Sequence, residues 1–225
     1  MSDSTRETLT HGTVVHLSAA HRFGTDGLLL ADFCRPRRAE LAFDLCSGCG
    51  IVALRWHDGG HRGPCAALEL NGEAHGLLAA ALAEQPEAAA HITAVQGDLR
   101  DFASPQAGQY HLVACNPPYF TGGLVSPDRA RAAARHEQTC TFEETAACAA
   151  RLLRDGGRFA VCHRPDQLAR VLTALTAARL EPKRLAFVKQ AAGEAPWLFL
   201  CEAQKNRRPG LTVLPDILPG AYPAY

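Results

Sequence analysis

Apolar and polar positions alternate in two periods along this chain. Five short apolar runs, Leu41–Leu45, Cys65–Leu70, Ile92–Gln96, Tyr110–Cys115 and Arg158–His163, are bounded by turn residues and predict buried strands. Between them lie stretches with helical spacing. One runs from about Cys49 to His57. A second, rich in Ala and Leu, runs from the cap Asn71 to about Glu84. Thr141 with Glu144 three residues on is a capping-box signal for a third helix, expected to end near Asp155-Gly156-Gly157. A fourth spans about Pro165 to Ala178, with proline tolerated in its first turn. Two last strands, Lys183–Lys189 and Trp197–Gln204, flank the turn Gln190–Pro196 and can pair antiparallel at the sheet edge. Strand–helix alternation predicts an α/β fold with a mostly parallel sheet of seven strands and helices on both faces. No repeat, low-complexity tract or linker interrupts it. A single domain over residues 1–225 is expected, with residues 1–40 a short N-terminal extension.

Composition narrows the class. Hydrophobic content of 47% and charged content of 20% suit a soluble enzyme. No apolar run approaches the roughly 20 residues of a membrane span. The polar start, Met1 to Glu7, does not read as a signal peptide. Nine scattered cysteines point to reduced thiols and a cytoplasmic protein. The net charge of zero is uneven: residues 1–120 hold 8 Lys/Arg against 13 Asp/Glu, and residues 121–225 hold 15 against 10. A polyanion is therefore expected on the second half, near Arg129, Arg131 and Arg135 or near Lys205, Arg207 and Arg208. The alternative is a set of solvated arginines. The sequence does not fix the oligomeric state, with a monomer slightly favoured.

The turn after the first strand, Phe43-Asp44-Leu45-Cys46-Ser47-Gly48-Cys49-Gly50, carries candidate chemistry. Gly48 and Gly50 permit a tight turn and close approach of a ligand to the backbone. Glu69, ending the second strand, can accept from a ribose diol. The same loop fits the dinucleotide pattern G-x-G-x-x-A, so taken alone it suits NAD as well as S-adenosylmethionine. Gln96-Gly97-Asp98-Leu99 adds a carboxylate at the third strand tip, placed to accept from an adenine amino group. Cys46-Ser47-Gly48-Cys49 matches Cys-x-x-Cys, but no second pair stands at zinc spacing and no metal is expected.

Asn116-Pro117-Pro118-Tyr119 follows the fourth strand directly. The prolines end the ladder and stiffen the backbone, so Asn116 stands at a strand tip, where open α/β sheets bind ligands. The Asn116 side-chain oxygen and the Pro117 carbonyl can accept from both N–H groups of a planar amine, while Tyr119 stacks on the ring. This feature, with Asp98, decides for S-adenosylmethionine. His163 and Arg164, ending the fifth strand, can reach the pocket mouth or simply cap the strand.

The seven strands with a terminal antiparallel pair resemble the class I methyltransferase (Rossmann-like) fold. Asn116-Pro117-Pro118-Tyr119 resembles the signature of amino-methylating members. Phe23-Gly24-Thr25-Asp26-Gly27-Leu28-Leu29-Leu30, Phe120, Ala134-Arg135-His136-Glu137 and Arg179-Leu180-Glu181-Pro182-Lys183-Arg184 narrow the resemblance to the tRNA1(Val) (adenine(37)-N6)-methyltransferase family. The resemblance implies methyl transfer to adenine N6 in RNA, with tRNA as partner. It implies that Phe23, Gly24, Thr25 and Asp26 fold over the methionine end of the cofactor. Asp44, Cys46, Gly48, Gly50, Glu69, Asp98, Leu99 and Asn116 are the remaining cofactor candidates. Thr121 to Glu137 would lie beside the substrate, with Pro118, Tyr119, Phe120, Arg135 and His136 as contacts. Cys46 departs from the loop's usual first glycine, which is expected to be harmless if the residue keeps an ordinary backbone conformation. Protein-glutamine N5-methylation is the main rival, followed by DNA adenine or rRNA guanine methylation. A non-catalytic S-adenosylmethionine-binding RNA module or an NAD enzyme would belong to other classes.

Overall fold

A computed structural model describes residues 4–117 and 140–218. Strands β3 (Ala42–Leu45), β4 (Cys65–Glu69), β5 (Ile92–Gln96) and β6 (Tyr110–Cys115) pair parallel, as do β6 and β7 (Leu153–His163). With β8 (Leu180–Val188), β9 (Leu198–Lys205) and β10 (Thr212–Val213) the sheet order is β10-β8-β9-β7-β6-β3-β4-β5. The chain leaves β3 towards β4 on one side, while β6 lies on the other. Their carboxyl ends therefore border a topological switch point, where a ligand crevice opens.

The parallel alternation and the antiparallel pairing of β8 with β9 hold. Three expectations do not. The sheet has eight strands, because β10 runs parallel to β8 and covers the edge where the pair was expected to end. β9 is antiparallel to β7 as well, so it is an interior strand. Asp155-Gly156-Gly157 does not stop a helix. The helix ends at Leu152, and the glycines fall in a register shift of β7, with Gly156 at φ 71°.

Inward positions alternate between two cores, as a sheet covered on both faces requires. Ala42, Ala114, Ala160 and Leu200 pack against α1 (Thr25–Cys34), α2 (Ile51–Asp58) and α3 (Gly72–Ala83). Phe43, Val113, Phe159 and Phe199 pack against helices that follow the short α4 (Pro86–Ala89), namely α5 (Phe142–Leu152) and α6 (Leu168–Ala177). The predicted caps are real: Asn71 Oδ1 accepts from the Glu73 and Ala74 amides, and Thr141 with Glu144 closes a full capping box.

The first forty residues hold a structure that the patterning did not foretell. β1 (Thr5–Thr8) and β2 (Val14–Leu17) form a hairpin with β1 wholly exposed. The Gln85 amide pairs with both backbone groups of Val14 at 2.8 Å, like a borrowed strand residue. The Asp58 carboxylate accepts from the His11 and Thr13 amides at 3.1 Å. Arg55 in turn grips Asp32 of α1 through two bonds of 3.1 Å, fastening helix to helix.

Candidate active site

A cavity of about 280 Å³ opens at the carboxyl ends of β3, β4 and β5. Its floor is the turn after β3, where Cys46 (φ 55°), Gly48 (φ 56°) and Gly50 (φ 82°) all take the left-handed region. The expectation of an ordinary backbone at Cys46 is thus corrected: a side chain occupies a conformation that favours glycine. At Gly48 a Cβ would meet no protein atom, and its left-handed backbone is what favours glycine in the turn. At Gly50 a Cβ would collide with the Leu78 side chain. Gly50 does not line the cavity; it lets α3 close on the turn.

Asp44 is 1% exposed; its Oδ2 accepts from the Ala53 amide at 3.2 Å. Burial pushes the Asp44 carboxyl up to about 8, opposed by that amide and helped by the nearby Glu69 charge. Asp44 Oδ1 and Ser47 Oγ are buried without a hydrogen-bond partner. Glu69 is held from both sides, accepting from the Gly48 and Asn71 amides at 2.8 Å each. Leu99 and Asp98 close the far wall. The Asp98 carboxylate is already engaged by Arg100 of the same turn, at 3.0 Å to Nε, which holds its pKa below the usual range.

Phe23, Gly24 and Asp26 reach the cavity from the loop before α1 and its first turn, together with His21 and Arg22. Thr25 does not; it is exposed. Asn116, at the tip of β6, lines the same cavity. Its Nδ2 donates to Asp26 Oδ2 at 3.1 Å, and its Oδ1 accepts from Cys162 Sγ at 3.1 Å. A carboxylate accepts, so Asp26 selects the NH2 end of the amide and fixes which way Asn116 points.

Cys162 was not singled out from the sequence. The parallel register pairs Cys115 with Val161, so the next residues, Asn116 and Cys162, fall side by side. Cys140, Asn71 and Ser47 are further wall residues; the sequence marked Asn71 only as a helix cap and Ser47 only as part of the turn.

Pro117 faces a second, smaller cavity of about 100 Å³, lined also by Cys140, Thr141, Phe142, Thr145, His163 and Arg170. Cys140 borders both cavities. His163 is therefore more than a strand cap, whereas Arg164 pairs with Asp166 at 2.9 Å. Pro118, Tyr119, Phe120, Arg135 and His136 lie outside the described residues, as do Arg129 and Arg131. Lys205 ends β9, where it pairs with Leu180 at the start of β8, and Arg207 and Arg208 follow it. They stand at the opposite end of the sheet from Asn116. Among the described residues, no helix is long and apolar enough to cross a membrane, and no cluster of three or more His, Cys, Asp or Glu side chains is arranged to hold a metal ion.

No family model matches the chain. A tRNA1(Val) (adenine(37)-N6)-methyltransferase from Bacteroides thetaiotaomicron is 31% identical over 185 residues, covering 82% of this chain and 77% of that protein. One from Yersinia pestis is 29% identical over 206 residues, covering 88% and 73%. Among solved structures, a predicted O-methyltransferase from Agrobacterium tumefaciens aligns with TM-score 0.65 and 23% identity over 87% of this chain and 89% of its own. The P. horikoshii TYW2 protein in complex with MeSAdo aligns with TM-score 0.62 and 15% identity, over 92% and 73%. The solved structures speak to the fold, which is the class I methyltransferase fold, with one strand more than the sequence predicted. The identity to the Bacteroides protein, carried across most of both chains, goes further: this chain belongs to the tRNA1(Val) (adenine(37)-N6)-methyltransferase family.

Proposed function

We propose that the protein transfers a methyl group from S-adenosylmethionine to N6 of an adenine in tRNA, of the adenine-37 type for which its relatives are named. The observation that carries this reading is the Asn116 amide, oriented by Asp26 and Cys162 on the wall of a nucleoside-sized cavity.

The residues present fit that donor. Asp44 Oδ1 and Ser47 Oγ are buried polar atoms still wanting a partner. The Glu69 oxygens, each fixed by one backbone amide, keep lone pairs for a ribose diol. Asp98 and Leu99 would flank the adenine, with Arg100 sharing the Asp98 carboxylate. Phe23, Gly24 and Asp26 would bound the methionine end, and Cys46 and Gly48 would let it near the backbone. Thr25 and Gly50 act at one remove, in the start of α1 and in the turn. When bound, S-adenosylmethionine supplies an electrophilic methyl group on a sulfonium sulfur.

The amino nitrogen of adenine is a weak nucleophile because its lone pair is delocalised into the ring. Asn116 Oδ1 and the Pro117 carbonyl can accept its two N–H groups and draw it towards tetrahedral geometry. Oδ1 also accepts the Cys162 thiol, which holds the amide in place. The same oxygens stabilise positive charge as it grows on nitrogen, so no general base is required at that moment. Tyr119 would stack on the base, a contact worth about 1–3 kcal/mol. Pro118, Phe120, Arg135 and His136 complete the substrate side of this reading.

Labelled methyl transfer into total RNA from a strain lacking the gene, followed by nucleoside mapping, tests it. Label in N6-methyladenosine of tRNA is expected. Label in protein or DNA, or a purified enzyme that binds NAD and not S-adenosylmethionine, would overturn it.

A further inference from the structure

Three turns meet at the amino end of β7, and each brings cations. Residues 153–157, 179–183 and 205–208 together hold six Lys/Arg and two Asp/Glu. Bonds between the turns hold the corner together. Lys205 Nζ donates to the Leu153 carbonyl at 2.8 Å, and the Asn206 backbone amide donates to the Arg179 carbonyl at 2.9 Å. Lys183 Nζ donates to the Arg208 carbonyl. Arg207 lies over Gly156, where an added Cβ would meet the guanidinium. Arg179 (φ 60°), Asn206 (φ 54°) and Gly156 (φ 71°) all take the left-handed region. Side-chain residues adopt it only where their surroundings impose it.

The charge gathered there is not neutralised from within. Arg154, Arg179, Arg207 and Arg208 are exposed, and Lys183 and Lys205 are half-buried. None of the six makes an ion pair with a carboxylate. Their neighbours Arg158 and Arg184 differ, each paired with Glu202, at 3.0 and 3.3 Å. Of the two acids, Asp155 is engaged by the Asn206 side chain at 2.7 Å, which leaves Glu181. A guanidinium presents a planar fork of donors that matches phosphate oxygens.

Strand β7 measures how far this corner stands from the chemistry. Lys205 is tied to Leu153, its first residue, while Cys162, near its other end, donates to Asn116. That stretch of strand spans at most roughly 30 Å. One turn of a nucleic-acid duplex is of similar length, about 34–36 Å.

We propose that this corner is a second foothold for the RNA substrate, binding its phosphate backbone about one helical turn away from the target base. The inference rests on adenine methylation of tRNA as the function and adds where that RNA is held. A stem running from the target loop along the protein brings its phosphates to the arginines. A short stem-loop ends before it reaches them, so the corner acts as a ruler that favours a full-length substrate.

The test uses purified full-length enzyme, a valine tRNA transcript and the short stem-loop cut from it that carries the target adenine. The double variant Arg207→Gln, Arg208→Gln should raise KM for the transcript about tenfold with kcat unchanged. It should leave the stem-loop kinetics as they are. Transcript binding, followed by filter retention across a salt series, should lose about one from its log–log slope for each arginine removed. Lysine at both positions should restore most of the slope. A variant that matches the wild type in KM and slope removes the inference, and so does an equal loss on both RNAs or a loss confined to kcat. If the double variant fails to fold, Arg154→Gln with Arg179→Gln carries the same test. A wild type that methylates neither RNA removes the functional reading, and the salt slope of transcript binding then decides the foothold by itself.

Discussion

Asp26 and Asn116 stand 90 positions apart in the chain and meet at 3.1 Å, carboxylate oxygen to amide nitrogen. One belongs to the first turn of α1 and the other to the tip of β6. Asp26→Ala should remove the contact that fixes the NH2 end of the Asn116 amide. A misplacement of about 1 Å near the reacting atoms can cost roughly 10²-fold. We expect kcat to fall by about that factor while donor affinity, read by calorimetry, changes far less.

Asn116→Ala removes an acceptor that acts chiefly in the transition state. Loss of one such preorganised group typically costs about 10²–10³ in kcat. Single-turnover methylation should show that loss, with donor binding largely preserved. Near-normal turnover would defeat the proposed mechanism.

Gly50→Ala tests the turn separately from the chemistry. The left-handed backbone costs an L-residue roughly 1–2 kcal/mol, and the added methyl must displace Leu78, at about 1–3 kcal/mol. Urea denaturation should report a loss within the sum of those ranges. The opposite change, Cys46→Gly, should be tolerated, because Cys46 already sits at φ 55°.

Stability should fall on both sides of an intermediate pH. His57, His61 and His91 cluster at the amino end of the sheet, with His57 Nδ1 and His91 Nε2 at 2.8 Å. Burial depresses all three, His91 from 6.5 to about 4. The unfolded chain therefore takes up protons first, and stability present above about pH 6.5 is lost as pH falls towards 4. Asp44 acts in the other sense. Its folded pKa of about 8 lies above its ordinary 3.8, so its contribution is complete below 3.8 and is lost as pH rises through 8. Urea midpoints across pH 4–9 should trace both limbs, with His91→Gln flattening the acid one and Asp44→Asn the alkaline one.

What could be read in advance was local. Asn71 and the Thr141–Glu144 pair announce helix starts because capping is written within three residues. The strands β3 to β6 announce themselves as apolar runs. The hairpin of residues 5–17 does not, because it is held by two residues distant in the chain, Asp58 of α2 and Gln85 just before α4, and buries only one of its strands. Gly156 and Gly157 resemble a helix stop, yet a sheet register, which is a long-range property, absorbs them into β7. At the site, the loop and Asn116 were legible as motifs, whereas the Cys162 contact depends on which strands are neighbours. The pairing of Asn116 with Asp26 needed the third dimension.

The segment bearing His21, Arg22 and Phe23 is fastened at both ends, by the hairpin that Gln85 and Asp58 clasp and by the Arg55–Asp32 pair behind α1. A flank tethered in this way behaves as a doorpost and not as a hinged door. Donor capture should then follow simple second-order kinetics, its observed rate climbing linearly with ligand concentration and reaching no plateau from a slow rearrangement.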